Sequence, residues 1–333
     1  MRRMSRAAAL AILLVSATPA ARAGEGFDLQ GHRGARGLAP ENTLAGFARA
    51  LEVGVSTLEL DVVVTRDGVV VASHDPLLNP DLTRDTRGAW LAAPGPAIVS
   101  LSLAELRAYD VGRLRPGSAV AQRFPRQEPR DGERLPTLAD VFALAAQAPH
   151  VRFNVETKLD PRHPDRTPAP AAFADAVLAV ARAAGVLERL SVQSFDWRTL
   201  RHVRAVAPAV ETACLTVQQP LEDNVQRGRA AASPALAGLD ADDFDDVPAL
   251  VAAAGCRTWS PHAADLTPEL LAAARRHGLR TIPWTVNEPA AIGALIDAGV
   301  DGLISDYPDR VREALAARGR PLPPVVAAGR PEP

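Results

Sequence analysis

Two acidic residues stand two apart in one hydrophobic run, Glu59 and Asp61 within residues 57–65, and a third, Glu156, stands in another, residues 151–158. Strand side chains alternate, so residues two apart share a face. Glu59 and Asp61 therefore point one way, and so do Glu156 and Lys158. Carboxylates among apolar residues are costly unless they are paired or bind a cation. Three of them without thiolates suit one hard divalent ion, Ca2+ or Mg2+. A salt-bridge network with Arg33 and Lys158 is the competing use of the same acids. His32 follows the apolar run 27–30, and His74 closes a run, 69–74, that returns from 57–65 through the Asp67-Gly68 turn. Asp61 and His74 stand equally far from that turn, which predicts His74 opposite Asp61 and near His32. Two histidines beside a cation site can take a proton and give one back. His150, His163, His202, His262 and His277 fall in loops or helices and are read as structural.

These residues need a scaffold that gathers them. With the returning run set aside, strand-like runs begin near residues 27, 57, 151, 190, 210, 256, 279 and 302, mostly separated by Ala/Leu-rich helical segments. That alternation predicts a (β/α)8 TIM barrel, an α/β fold whose site lies at the carboxyl ends of the strands. His32, Glu59, Asp61, Glu156, Lys158, Gln193 and Trp284 all fall at or near those ends. A doubly wound sheet would want a glycine-rich fingerprint opening a helix. Gly31, Gly34 and Gly37 have another spacing, and His32 and Arg33 lie between them. Asn42 or Thr43 is expected to cap the first helix and Gly54 to close it. Residues 76–136, rich in Pro, Gly, Arg and Asp, read as an insertion after the second strand's hairpin.

The chain has 333 residues, 47% hydrophobic and 23% charged, which excludes a disordered chain and a small disulfide scaffold. A net charge of -2 and the lack of a long Lys/Arg cluster argue against a nucleic-acid partner. Residues 1–23 have the make-up of a signal peptide: Arg2, Arg3 and Arg6, an apolar run 7–15, and Ala21-Arg22-Ala23 before a cleavage expected at Gly24. This predicts a periplasmic or secreted product with one domain over 24–317 and a loose tail, 318–333. No other segment reaches transmembrane length, so no stable membrane insertion is expected. Cys214 and Cys256, in separate strand-like runs, are read as two buried free thiols in preference to a disulfide.

Further motifs give the chain a resemblance. His32-Arg33-Gly34, Pro40-Glu41-Asn42-Thr43, Glu59-Leu60-Asp61-Val62, Thr65-Arg66-Asp67-Gly68, His74-Asp75, Glu156-Thr157-Lys158, Gln193-Ser194-Phe195 and Trp284-Thr285-Val286-Asn287 occur in that order. Over residues 27–311 the chain resembles the glycerophosphodiester phosphodiesterase family. The resemblance implies a (β/α)8 barrel that hydrolyses small glycerophosphodiesters, such as glycerophosphocholine, to an alcohol and sn-glycerol 3-phosphate. By motif, Glu59, Asp61 and Glu156 correspond to ligands of one divalent cation, and His32 and His74 to the acid-base pair. Arg33 and Lys158 correspond to phosphate clamps, and Gln193 and Trp284 are assigned to substrate. The alternatives are a phospholipase D-like enzyme acting on lipid and a non-catalytic periplasmic protein that captures phosphometabolites. Aromatic residues make up 4% of the chain, and Gln122-Arg123-Phe124-Pro125-Arg126 in the insertion is polar, which favours the small substrate.

Overall fold

The computed structural model describes residues 26–326. The expected signal peptide and the last part of the tail, 327–333, lie outside them. The strands are β1 (Asp28–Gly31), β2 (Thr57–Val64), β3 (Val70–Ala72), β4 (Arg152–Thr157), β5 (Leu190–Ser194), β6 (Glu211–Thr216), β7 (Gln218–Gln219), β8 (Glu222–Asp223), β9 (Thr258–Pro261), β10 (Arg280–Thr281) and β11 (Gly302–Ser305). The helices are α1 (Leu44–Val53), α2 (Leu103–Leu106), α3 (Ala119–Arg123), α4 (Leu138–Leu144), α5 (Pro170–Ala183), α6 (Trp197–Val206), α7 (Val247–Ala254), α8 (Pro268–Arg276), α9 (Pro289–Ala298) and α10 (Pro308–Ala317). Proline opens α5, α8, α9 and α10, where its missing N–H costs nothing and its fixed φ suits the first turn. Thr43 caps α1 by accepting from the Gly46 N–H at 3.0 Å, and Gly54 ends it in the left-handed region at φ 84.

The strands pair in the order β10-β9-β6-β5-β4-β2-β1-β11, all in parallel. Main-chain bonds close the ring between its two ends: Asp301 N–H to Thr281 O, Ile304 N–H to Pro283 O and Val286 N–H to Ile304 O, each 3.0–3.1 Å. This is the predicted eight-stranded barrel. Its seventh strand was expected over 279–286 and is regular only at Arg280–Thr281, because Pro283 has no N–H to continue the ladder.

Alternation along the strands builds two layers. Leu29, Leu58, Leu60, Val62, Phe153, Val155, Leu190 and Val192 point outward into the main core, packed against the helices. The intervening residues point inward, and many are polar: Gln30, Glu59, Asp61, Asn154, Glu156 and Gln193 are all buried.

The structure corrects two expectations. First, the hairpin closes on Thr65 and Val69, and the register runs Val64↔Val70, Val63↔Val71, Val62↔Ala72. Asp61 therefore faces Ser73, whose N–H donates to the Asp61 carbonyl at 3.0 Å, and His74 lies one residue further on, past the end of β3. Second, Cys214 and Cys256 are bonded to each other, with Cα atoms 5.9 Å apart. Cys214 lies in β6, and Cys256 lies in the turn between α7 and β9, the strand that pairs with β6. The insertion also builds a core of its own. Val63 and Val71 of the hairpin join Leu78, Ile98, Leu106, Val111 and Leu135 in a second, smaller core. The chain after α10 has no regular structure up to residue 326. It is nevertheless tied to α1, with Arg312 bonding the Gly54 and Pro323 carbonyls and the Val326 N–H donating to Leu51 O.

Candidate active site

The mouth of the barrel opens into a cleft of about 880 Å3, lined among others by His32, Arg33, Glu59, His74, Glu156, Lys158, Gln193 and Trp284. Every predicted site residue except Asp61 lines it, and Asp61 lies beside Glu156 in the β2–β4 register. Carboxylate oxygens of Glu59, Asp61 and Glu156 lie within 4.8 Å of one another. All three residues are buried, at 1%, 1% and 6% exposure.

Each acid is held from a different element. Arg33 takes the left-handed conformation, φ 51, which turns its own N–H onto Glu59 Oε2 at 2.8 Å. The next residue must be glycine: Gly34 has φ 87, and a Cβ there would meet the Gly46 backbone at 2.6 Å. Asn42, at the start of α1, donates to Asp61 Oδ2 at 3.0 Å. Gln193 Nε2 donates to Glu59 Oε1 at 2.7 Å, while Gln193 Oε1 accepts from Asn154, which also donates to Gln30, which in turn donates to Asp28. A hydrogen-bonded column thus rises from the barrel floor to Glu59. Both ends of the Gln193 amide belong to it.

The charges do not balance within the acid cluster. Lys158 Nζ lies 2.6 Å from Glu156 Oε1 and 3.6 Å from Asp61 Oδ1, and Arg33 Nε lies 3.2 Å from Asp61 Oδ2. Arg33 also gives Nη1 to Glu41 at 2.8 Å. Burial and the neighbouring Asp61 charge push the Glu59 carboxyl well above its usual range. Burial raises Glu156 to about 7, against the pull of Lys158. Asp61 is held low by Arg33 and Lys158 although burial opposes this. Asp61 Oδ1 is buried without a hydrogen-bond partner. Three buried carboxylates that converge, one of them with an orphaned oxygen, form a set that could coordinate a divalent cation, and the residues fit one.

Each histidine has an aspartate behind it. His32 Nδ1 lies 2.6 Å from Asp306 Oδ1, and His74 Nδ1 lies 2.7 Å from Asp75 Oδ1. An ionised carboxylate only accepts, so both Nδ1 atoms carry the hydrogen and both Nε2 atoms are left with a lone pair. Asn287 donates to Asp306 Oδ2 at 2.7 Å and Asn79 to Asp75 Oδ2 at 2.6 Å, which fixes the carboxylates. Burial lowers the proton affinity of His32, partly offset by Asp306. That of His74, a third of whose side chain reaches solvent, is lowered by its recessed position and by the Arg33 and Lys158 charges.

Asp306, Asp75, Glu41 and Asn42 were given no part in the site by the sequence reading. The signal was present: Glu41-Asn42 and His74-Asp75 lie inside the recurring motifs, and Asp306 directly follows the last strand. Trp284 lines the cleft with its ring edge-on to Phe195 and His262, each 5.2 Å away, and its Nε1 donates to Ser260 O at 3.0 Å.

Comparison with known proteins agrees with this geometry. A glycerophosphodiester phosphodiesterase from Caldanaerobacter subterraneus subsp. tengcongensis is 27% identical over 282 residues, 84% of this chain and 93% of its own. The Bacillus subtilis enzyme of the same name is 27% identical over 84% of this chain and 83% of its own. A solved Silicibacter pomeroyi protein, assigned as a glycerophosphoryl diester phosphodiesterase, superposes with a TM-score of 0.77 at 38% identity, covering 87% of this chain and 93% of that one. An Oleispira antarctica phosphodiesterase, solved with the product sn-glycerol-3-phosphate, shares the fold at 22% identity and a TM-score of 0.63, covering 86% of this chain and 96% of that one. The family model for glycerophosphoryl diester phosphodiesterases matches residues 32–310, and the chain belongs to that family.

Proposed function

We propose that the cleft hydrolyses small glycerophosphodiesters such as glycerophosphocholine, with a single Ca2+ or Mg2+ held by Glu59, Asp61 and Glu156. As a member of its family the chain is a hydrolase that releases an alcohol and sn-glycerol 3-phosphate. The observation that carries the assignment of residues is three buried carboxylates within 4.8 Å, in one cleft with two aspartate-backed histidines. Bound there, the cation would withdraw charge from the phosphoryl oxygens.

The rest is the work of the chain's own groups. A phosphodiester is an anion and repels a nucleophile unless its charge is screened. Arg33 and Lys158, now turned to Asp61 and Glu156, become available to the phosphate once the acids have another positive partner. One histidine accepts the nucleophile's proton at Nε2, and the other, protonated at Nε2, gives a proton to the leaving alkoxide. Trp284 offers a ring face to the glycerol carbons. Export to an oxidising compartment is part of the same proposal, supported by the Cys214–Cys256 bond and the make-up of residues 1–23.

Phosphorus NMR of the purified protein with glycerophosphocholine tests the reading. Glycerol 3-phosphate is expected to appear, to stop appearing after chelation, and to return with Ca2+ or Mg2+. Full turnover in protein shown by elemental analysis to be metal-free refutes the cation's part. A diester bound unchanged with metal present refutes the hydrolase.

A further inference from the structure

The cleft holds cations that the chemistry above does not use. Arg36 and Arg123 line the same cleft as His32 and Asp306. Both guanidinium groups lie over the ring of Phe124, 4.5 and 5.5 Å from its centroid. That ring is 3% exposed and packs against Tyr307, at 6.4 Å, the residue after Asp306. The platform is locked to the loop carrying Arg33. Gln127 Nε2 donates to Arg36 O at 2.8 Å, and the Glu128 N–H donates to Leu38 O at 2.9 Å. The insertion thus delivers Arg123 to a fixed place beside Arg36.

The counter-charge there falls short. Glu41 is shared, with Oε1 on Arg33 Nη1 at 2.8 Å and Oε2 on Arg36 Nε at 2.5 Å. Among the described residues Arg123, which is exposed, has no carboxylate within ion-pair distance. Two guanidinium groups share one ring, and Arg36 alone of the two has a carboxylate in contact, with Asp306 near by, so the pair forms a place where a further anion is stabilised. Because Glu41 bridges Arg33 and Arg36, a phosphate on Arg33 and an anion on Arg36 would be neighbours in the cleft. A cleft of about 880 Å3 has room for both.

We propose that Arg36 and Arg123, on the Phe124 platform, form a second anion subsite that binds a phosphate or carboxylate on the alcohol half of the substrate. The glycerol half carries no charge, so the second anion belongs to the alcohol. This rests on the phosphodiesterase reading and, within its substrate class, favours diesters with an additional negative group. Arginine meets a carboxylate or a phosphate through paired N–H bonds, so either source is bound by the same chemistry.

The test compares kcat/KM for glycerophosphocholine, glycerophosphoserine and bis(glycerophospho)glycerol at one low ionic strength. These present a cationic alcohol, a carboxylate and a second phosphodiester. Wild type is expected to favour the last over glycerophosphocholine at least about tenfold, mostly through KM, with the preference falling as salt rises. Glycerophosphoserine should fall between them if carboxylate is also bound, and match glycerophosphocholine if only phosphate is. Arg123→Glu, at an exposed position, should bring the ratio to about one, and Arg123→Lys should keep most of it. A wild-type ratio of one or less, or a ratio unchanged in Arg123→Glu, overturns the subsite while leaving the hydrolase intact. Failure of all three diesters to release glycerol 3-phosphate overturns both.

Discussion

A histidine can shuttle protons only if one ring nitrogen is committed and the other is free, and here both commitments come from aspartates. His32→Ala and His74→Ala are each expected to lower kcat by about 10²-fold or more while the protein stays folded. Asp306→Asn should cost a comparable factor, because an amide no longer dictates which nitrogen of His32 holds the hydrogen. Near-wild-type turnover in any of these purified variants refutes its assignment. The pH dependence has a definite sign. A general base works while neutral, so its activity is present above its pKa and is lost as pH falls through it. Both imidazoles are lowered in the folded protein. The acid limb of kcat/KM should therefore lie below the ordinary imidazole value of about 6.5. An acid limb at or above that value is the contrary result. The histidines and the three acids could be picked out from residue type and spacing. Asp306 could not be paired with His32, because the contact spans 274 residues and exists only once β11 lies beside β1.

At the scale of elements, one residue of register separates the expected hairpin from the real one. A two-residue turn at Asp67-Gly68 would have set Asp61 against His74. The chain instead makes a three-residue loop closed by Thr65 and Val69, with Gly68 at φ 81, and the pairing shifts by one. His74 reaches the cleft by leaving the strand, and Asp75 and Asn79 hold it there. The disulfide was missed for a related reason. Two cysteines 42 residues apart are brought together by the parallel pairing of β6 with β9, which no local pattern reports. It joins buried positions away from the cleft lining, so Cys214→Ala/Cys256→Ala should destabilise the fold by about 2–4 kcal/mol, read as a lower unfolding midpoint in denaturant. Its kcat on glycerophosphocholine should stay near that of wild type. Unchanged stability, or a large loss of kcat with the fold intact, contradicts a purely structural bond.

For the whole molecule the question is what size of substrate the cleft admits. An enzyme that works on bilayer lipid needs an apolar surface to meet it. Among the described residues no helix is long and apolar enough to cross a membrane. Phe124, the aromatic residue of the polar stretch 122–126, is buried under two arginines. Leu221, at the β7–β8 turn, is wholly exposed, and the other leucines of the cleft are buried or half-buried. Head-group diesters are therefore expected to be cleaved at least about tenfold more efficiently than lysophosphatidylcholine or sphingomyelin in mixed micelles, by kcat/KM. Equal or better rates on the lipids would make the protein a phospholipase D-like enzyme.

Residue order alone was enough to expect the barrel, its strand count and the insertion, and to single out the three acids and two histidines that the barrel mouth brings together. These follow from local alternation, from strand-helix periodicity and from the cost of placing charge among apolar residues. Tertiary structure alone decided the partners. Aspartates from β11 and from the hairpin's exit orient the histidines, and Gln193 belongs to a column rising from the floor to Glu59. The insertion builds its own core on Val63 and Val71, the cysteines bond, and one glutamate serves two arginines. The contacts of Asp306 and Gln193 and the cysteine bond depend on which strands become neighbours when the ring closes, and that is settled by long-range pairing and packing, which no window of sequence contains.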